Sequence, residues 1–84
     1  MDEIRIHSHA LKHGLSPEEI IYAWCNFVRK RPRGDDCWVA IGFTSVGCEV
    51  EMVGMVLAEG TTLVIHALSP ATEQIKRELG LRRR

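Results

Sequence analysis

The sequence predicts an α+β domain: two N-terminal helices, a three-stranded antiparallel β-meander and a C-terminal helix. Three observations predict it. A helix-start signature at Ser16-Pro17-Glu18-Glu19 is followed by apolar residues at three- and four-residue spacing. From Trp38 the pattern changes to β-rich and alternating segments separated by turn residues. The connections between those segments are too short for parallel crossovers, so a meander is the economical topology.

The elements follow in order. Ile6 and Ala10, with His13 beyond them, have helical spacing over residues 4–13, and Gly14 is placed to end that helix. Ser16 then caps a second helix, Pro17 takes its first position, and Glu19 stands where a capping-box carboxylate belongs. Ile20, Ala23, Trp24 and Phe27 form its apolar face. It should fail near Arg31, because Pro32 disfavours helical geometry in the residue before it. Pro32-Arg33-Gly34-Asp35-Asp36 reads as the following turn. Residues 38–43 form the first strand and residues 44–47 a hairpin connection. Glu49-Val50-Glu51-Met52 alternates as a half-exposed strand does, and residues 53–57 continue it with a bulge at Gly54. Glu59-Gly60 turns the chain into a third strand over residues 61–68. On its alternation Thr62, Val64, His66 and Leu68 share one face. Ser69 caps a closing helix that runs to Leu79, Gly80 ends it, and Leu81 to Arg84 forms a tail.

Composition narrows the function classes. A chain of 84 residues has room for one core, so residues 1–84 read as a single domain. A hydrophobic share of 45% argues against disorder. No apolar run approaches the roughly 20 residues of a membrane span. The N-terminus Met1-Asp2-Glu3-Ile4 lacks the basic and apolar regions of a signal peptide. Cys25, Cys37 and Cys48 are odd in number and contain no CxxC pair, so they read as part-buried thiols and the expected compartment is the cytoplasm. His9 and His13 are four apart, but no neighbouring ligands complete a metal site, and none is expected. Phosphate-binding glycine loops and nucleophile elbows are missing as well, so no cofactor is expected.

The net charge is zero, yet the cations are segregated. Arg29, Lys30, Arg31 and Arg33 form one cluster, and Lys76, Arg77, Arg82, Arg83 and Arg84 another. No Lys or Arg lies between Arg33 and Lys76, so an anion-binding surface must come from the ends of the chain.

Lys12-His13-Gly14-Leu15-Ser16 followed by Glu18-Glu19-Ile20 resembles the step between the first two helices of BrnT-type toxins, a family in the wider RelE-like group of bacterial toxin–antitoxin systems. Trp38-Val39-Ala40-Ile41-Gly42 is similar to that family's first sheet strand, and Val64-Ile65-His66-Ala67 to its last. The resemblance spans roughly residues 5–79. It implies an RNA-cleaving toxin, neutralised by a small antitoxin protein that often also binds DNA. One position departs from the pattern: Leu68 stands where such toxins usually carry an Arg.

Within that frame His66 is the candidate catalytic acid or base, since an imidazole exchanges protons near neutral pH. A strand-end histidine bonded to backbone is the plain alternative. Lys12, His13, Arg29 and Arg31 are the candidate phosphate and RNA contacts. The arginines also suit a helix C-terminus, where the macrodipole favours cations. Trp38 is a candidate aromatic contact or a core residue. A second reading is a non-catalytic binding module. In it Glu49 and Glu51, exposed together on one strand face, contact a basic partner. A homodimer through a sheet edge is a third, because an open sheet leaves edges to cover.

Overall fold

The computed structural model describes residues 3–81. Arg82, Arg83 and Arg84 of the expected tail lie outside the described residues, as do Met1 and Asp2. The sheet has five strands rather than three: β1 (Ile4–Ile6), β2 (Arg29–Pro32), β3 (Cys37–Phe43), β4 (Glu49–Val56) and β5 (Thr62–Leu68). Their spatial order is β1-β5-β4-β3-β2. The β2-β3-β4-β5 run is an antiparallel meander, and β1 joins its far edge parallel to β5. Two α-helices accompany it, α1 (Pro17–Cys25) and α2 (Glu73–Glu78).

The expected first helix is therefore a strand and a turn. Ile4 and Ile6 alternate about Arg5, and this period of two puts both isoleucines against the core while Arg5 stays exposed. The His7 N–H adds one more bond to β5 at the Val64 carbonyl, 2.9 Å away. A single 3-10 turn, Ser8–Leu11, follows, opened by His7 Nδ1 accepting from the His9 N–H at 3.0 Å. Gly14 ends this segment at φ +89°, a conformation a side chain would strain.

Helix α1 begins as its residues dictate. The Ser16 hydroxyl accepts from the Glu19 N–H at 3.1 Å, and the Glu19 carboxylate accepts from the Ser16 N–H at 2.8 Å. It ends six residues before Arg31, where Asn26 caps it by donating its side-chain amide to the Tyr22 carbonyl at 2.9 Å. Phe27 falls outside the helix and is exposed, so the apolar face is Ile20, Ala23 and Trp24. The segment read as the end of the helix is instead β2. Arg29, Arg31 and Arg33 alternate with Lys30 and Pro32, which is strand spacing, and an edge strand tolerates the N–H that Pro32 lacks.

The sheet is covered on both sides. On one, Ile20, Ala23 and Trp24 of α1 pack with Ala10, Ala40, Val50, Met52, Val64 and Ala67. The approach is close at two glycines: a Cβ on Gly42 would overlap the Ala23 carbonyl, and one on Gly54 would lie 2.6 Å from the Trp24 ring. On the other side Val39 and Ile41 pack with Ala71, Ile75 and Leu79 of the α2 segment. The α2 helix starts at Thr72, not at Ser69; the Ser69-Pro70 peptide is cis. Cys25 and Cys48 are exposed and Cys37 half-buried, so the thiols are more open than their residue type suggested.

Candidate functional site

A bulge in β5 sets the site. Gly54 pairs with Val64 and Val53 with His66, so Ile65 is an extra residue between them. Regular pairing onward from Val64 would place His66 opposite Met52, on the packed α1 side. The extra residue instead turns His66 to the α2 side, diagonal to Glu51 on β4. Val64 and His66 thus face opposite ways, which corrects the shared face expected from simple alternation. A bulge was expected beside Gly54; the inserted residue is on the partner strand.

There His66 Nε2 meets Glu51 Oε2 at 2.8 Å. Glu51 Oε1 accepts from the Thr72 N–H at 2.7 Å and from the Thr72 hydroxyl at 2.8 Å. The same hydroxyl accepts from the Ile75 N–H at 3.3 Å, so the carboxylate is tied to the helix cap. Burial pushes the Glu51 carboxyl up, but the hydrogen bonds from the Thr72 backbone, the His66 ring and the Thr72 hydroxyl outweigh it and hold the group below the usual carboxylate range. An ionised carboxylate only accepts, so Nε2 of His66 carries the proton in this bond. Nδ1 is then the basic nitrogen of the neutral ring.

Glu51 is 5% exposed, whereas the His66 side chain is 34% exposed. A fixed anion therefore stands behind an imidazole that solvent can reach. His13, exposed in the turn before α1, brings a second imidazole against it: the ring centroids are 5.8 Å apart and the planes meet at 76°. Lys12, also exposed, precedes His13 in that turn. The β1 strand pairs only as far as Val64, so this approach comes over the part of β5 that β1 leaves unpaired.

The other expected site residues lie elsewhere. Arg29 donates to the Leu79 carbonyl at 3.1 Å, and Arg31 to the Glu78 carbonyl at 2.8 Å. Arg33 makes two bonds to the Glu78 carboxylate, at 3.0 and 2.7 Å. That pairing raises the Arg33 pKa and lowers that of Glu78. The arginines do serve a helix C-terminus, but that of α2 rather than α1. Lys30 points the other way, over the Phe27, Trp38 and Trp24 rings at 4.7, 5.3 and 5.5 Å. Trp38 is accordingly half-buried beside a cation of its own chain.

The expected exposure of Glu49 and Glu51 is also corrected. Glu51 is buried as described. Glu49 is half-buried, accepting from the Ala71 N–H at 3.2 Å and pairing with Lys76 at 3.3 Å. Alternation of polar and apolar residues suggested one face in water, but α2 covers that face and satisfies both carboxylates.

Sequence reasoning missed Glu51 as the partner of His66 and Thr72 as the partner of Glu51. The available signal was Thr72 three residues ahead of Ile75, a helix cap close in sequence to the strand that carries His66. Among the described residues no three His, Cys, Asp or Glu side chains gather to hold a metal ion, and no helix is long and apolar enough to cross a membrane. No protein-family model, no curated protein and no solved structure matches this chain.

Proposed function

We propose that the chain is a toxin-like, metal-independent endoribonuclease module in which His66 is the general base. The observation that carries this reading is the bond between a buried carboxylate and a solvent-reachable imidazole, His66 Nε2 to Glu51 Oε2 at 2.8 Å. The pair holds one tautomer and aims one ring, so that Nδ1 is the nitrogen that takes the proton. RNA supplies a 2′-hydroxyl whose deprotonation starts cleavage, and no external cofactor is needed for that step. The resemblance to BrnT-type toxins points to the same substrate and adds a small neutralising antitoxin as the partner.

The basic residues of the module divide under this reading. His13 stands beside His66, with Lys12 next to it in the chain, and both would meet the phosphate. Arg29 and Arg31 are engaged with the end of α2, and RNA reaches them only in competition with those carbonyls. A binding module built on Glu49 and Glu51 has weaker support, because both carboxylates already have partners within the chain.

The test is induction of the chain in a bacterial host beside His66→Ala, with growth and total RNA followed and folding checked by circular dichroism. Growth arrest with RNA cleavage is expected from the first, and a loss of about 10²–10⁴-fold in cleavage from the second. Folded, soluble protein that leaves RNA intact, or full cleavage by His66→Ala, would overturn the reading.

A further inference from the structure

The His13 ring is the second feature of the site, and resting on the nuclease reading above we infer that it is the general acid of the reaction. The two imidazoles are not equivalent. The buried Glu51 carboxylate holds the His66 ring proton on Nε2 and leaves Nδ1 unprotonated, which makes His66 the acceptor. Glu51 is fully engaged by His66 and Thr72. His13 sits exposed at the turn, with its ring edge-on to that of His66 at 5.8 Å between centroids. Each apical oxygen of an in-line displacement needs a nitrogen within about 3 Å. Two rings this close can each turn a nitrogen to one phosphodiester lying across them.

The steps balance without a further reactant. The 2′-hydroxyl proton passes to His66 Nδ1 as O2′ bonds to phosphorus. The bond from phosphorus to O5′ breaks, and the His13 imidazolium gives its proton to O5′. The products are a 2′,3′-cyclic phosphate and a 5′-hydroxyl, and the enzyme is left with protonated His66 and neutral His13. The substrate class follows: single-stranded RNA, with a deoxyribose at the cleavage site blocking the reaction. The arrangement also answers the lack of Lys and Arg between Arg33 and Lys76. Charge that builds on the phosphate is met by one imidazolium at the start and another at the end, with Lys12 adjacent in the chain to His13.

A change of leaving group separates the two roles. The full chain, His13→Ala, His13→Asn and His66→Ala would be assayed on a single-stranded ribo-oligonucleotide and on uridine 3′-(4-nitrophenyl phosphate), whose nitrophenolate departs without a proton. The His13 variants should lose about 10²–10⁴-fold on the oligonucleotide and less than about tenfold on the nitrophenyl ester. His66→Ala should lose heavily on both. Equal losses on the two substrates in both His13 variants, or full oligonucleotide cleavage by either, would overturn the role of His13 and leave that of His66 standing. A wild-type chain that cleaves neither substrate would overturn the nuclease reading and this inference together.

Discussion

At the scale of single residues, Glu51 shows how one side chain can serve both folding and chemistry. Its carboxylate joins β4, β5 and the cap of α2, and it sets which nitrogen of His66 is basic. Glu51→Gln separates these duties. A glutamine oxygen can still accept both Thr72 bonds, so the fold should survive. Its amide can only donate toward His66, which turns Nε2 into the acceptor and leaves the proton on Nδ1. The expected result is a folded protein with cleavage reduced by about 10²–10⁴-fold. Long-range proton–nitrogen NMR of the His66 ring should show the change of tautomer directly. An unchanged tautomer with lost activity would mean that Glu51 acts otherwise than by positioning His66. His66 itself was legible as a candidate from its residue type, but its orientation was not. A one-residue bulge reverses a strand's faces, and nothing in the pattern Val64-Ile65-His66-Ala67 announces where the extra residue falls.

At the scale of elements, legibility followed the locality of the interactions. The start of α1 depends on contacts between Ser16 and Glu19, three residues apart, and could be read directly. The hairpin over residues 44–47 is equally local, closed by the Thr44 N–H on the Cys48 carbonyl at 2.9 Å. Strands β1 and β2 were read as helix because their partners are remote: Ile4 pairs with Thr62, and Arg29 with Ile41. The alternation of Arg29, Arg31 and Arg33 is strand-like, but a charge run at the end of a helix has the same composition. Its actual partner, the end of α2, lies about fifty residues away in the chain. The Arg33–Glu78 pair is part-exposed, at 42% and 31% of the side chains, so solvent screens it. A double-mutant cycle with Arg33→Ala and Glu78→Ala, read by urea unfolding, should give a coupling of about 0.5–1 kcal/mol that shrinks in high salt. A coupling indistinguishable from zero at low salt would remove this pair from the forces holding α2.

At the scale of the whole molecule, the two helical layers are held by different chemistry. The α1 layer is apolar, with Ile20, Ala23 and Trp24 against six buried strand and turn residues and four partly buried ones, Leu15 among them. The α2 layer has three buried apolar residues, Ala71, Ile75 and Leu79, and depends also on Glu51 with Thr72, Glu49 with Lys76, and Glu78 with Arg33. Acid should therefore weaken the layers unequally. The carboxyls of Glu51 and Glu78 are both held below the usual range in the fold. The unfolded or undocked form thus binds protons first as the pH falls. Their stabilisation is complete above the ordinary carboxylate range, and it is lost as the pH drops through that range to the lowered folded values. The expected sequence on acidification is release of α2 before loss of the α1 core. Amide exchange in residues 73–79 should quicken, and a hydrophobic dye should begin to bind the uncovered Val39 and Ile41 face. The near-ultraviolet signal of Trp24 and Trp38 should persist to lower pH. Because Glu51 belongs to both the α2 contact and the His66 pair, cleavage should fall with the first change rather than the second. Simultaneous loss of all three signals would show that the sheet does not survive without its second cover and that the two layers form one cooperative unit.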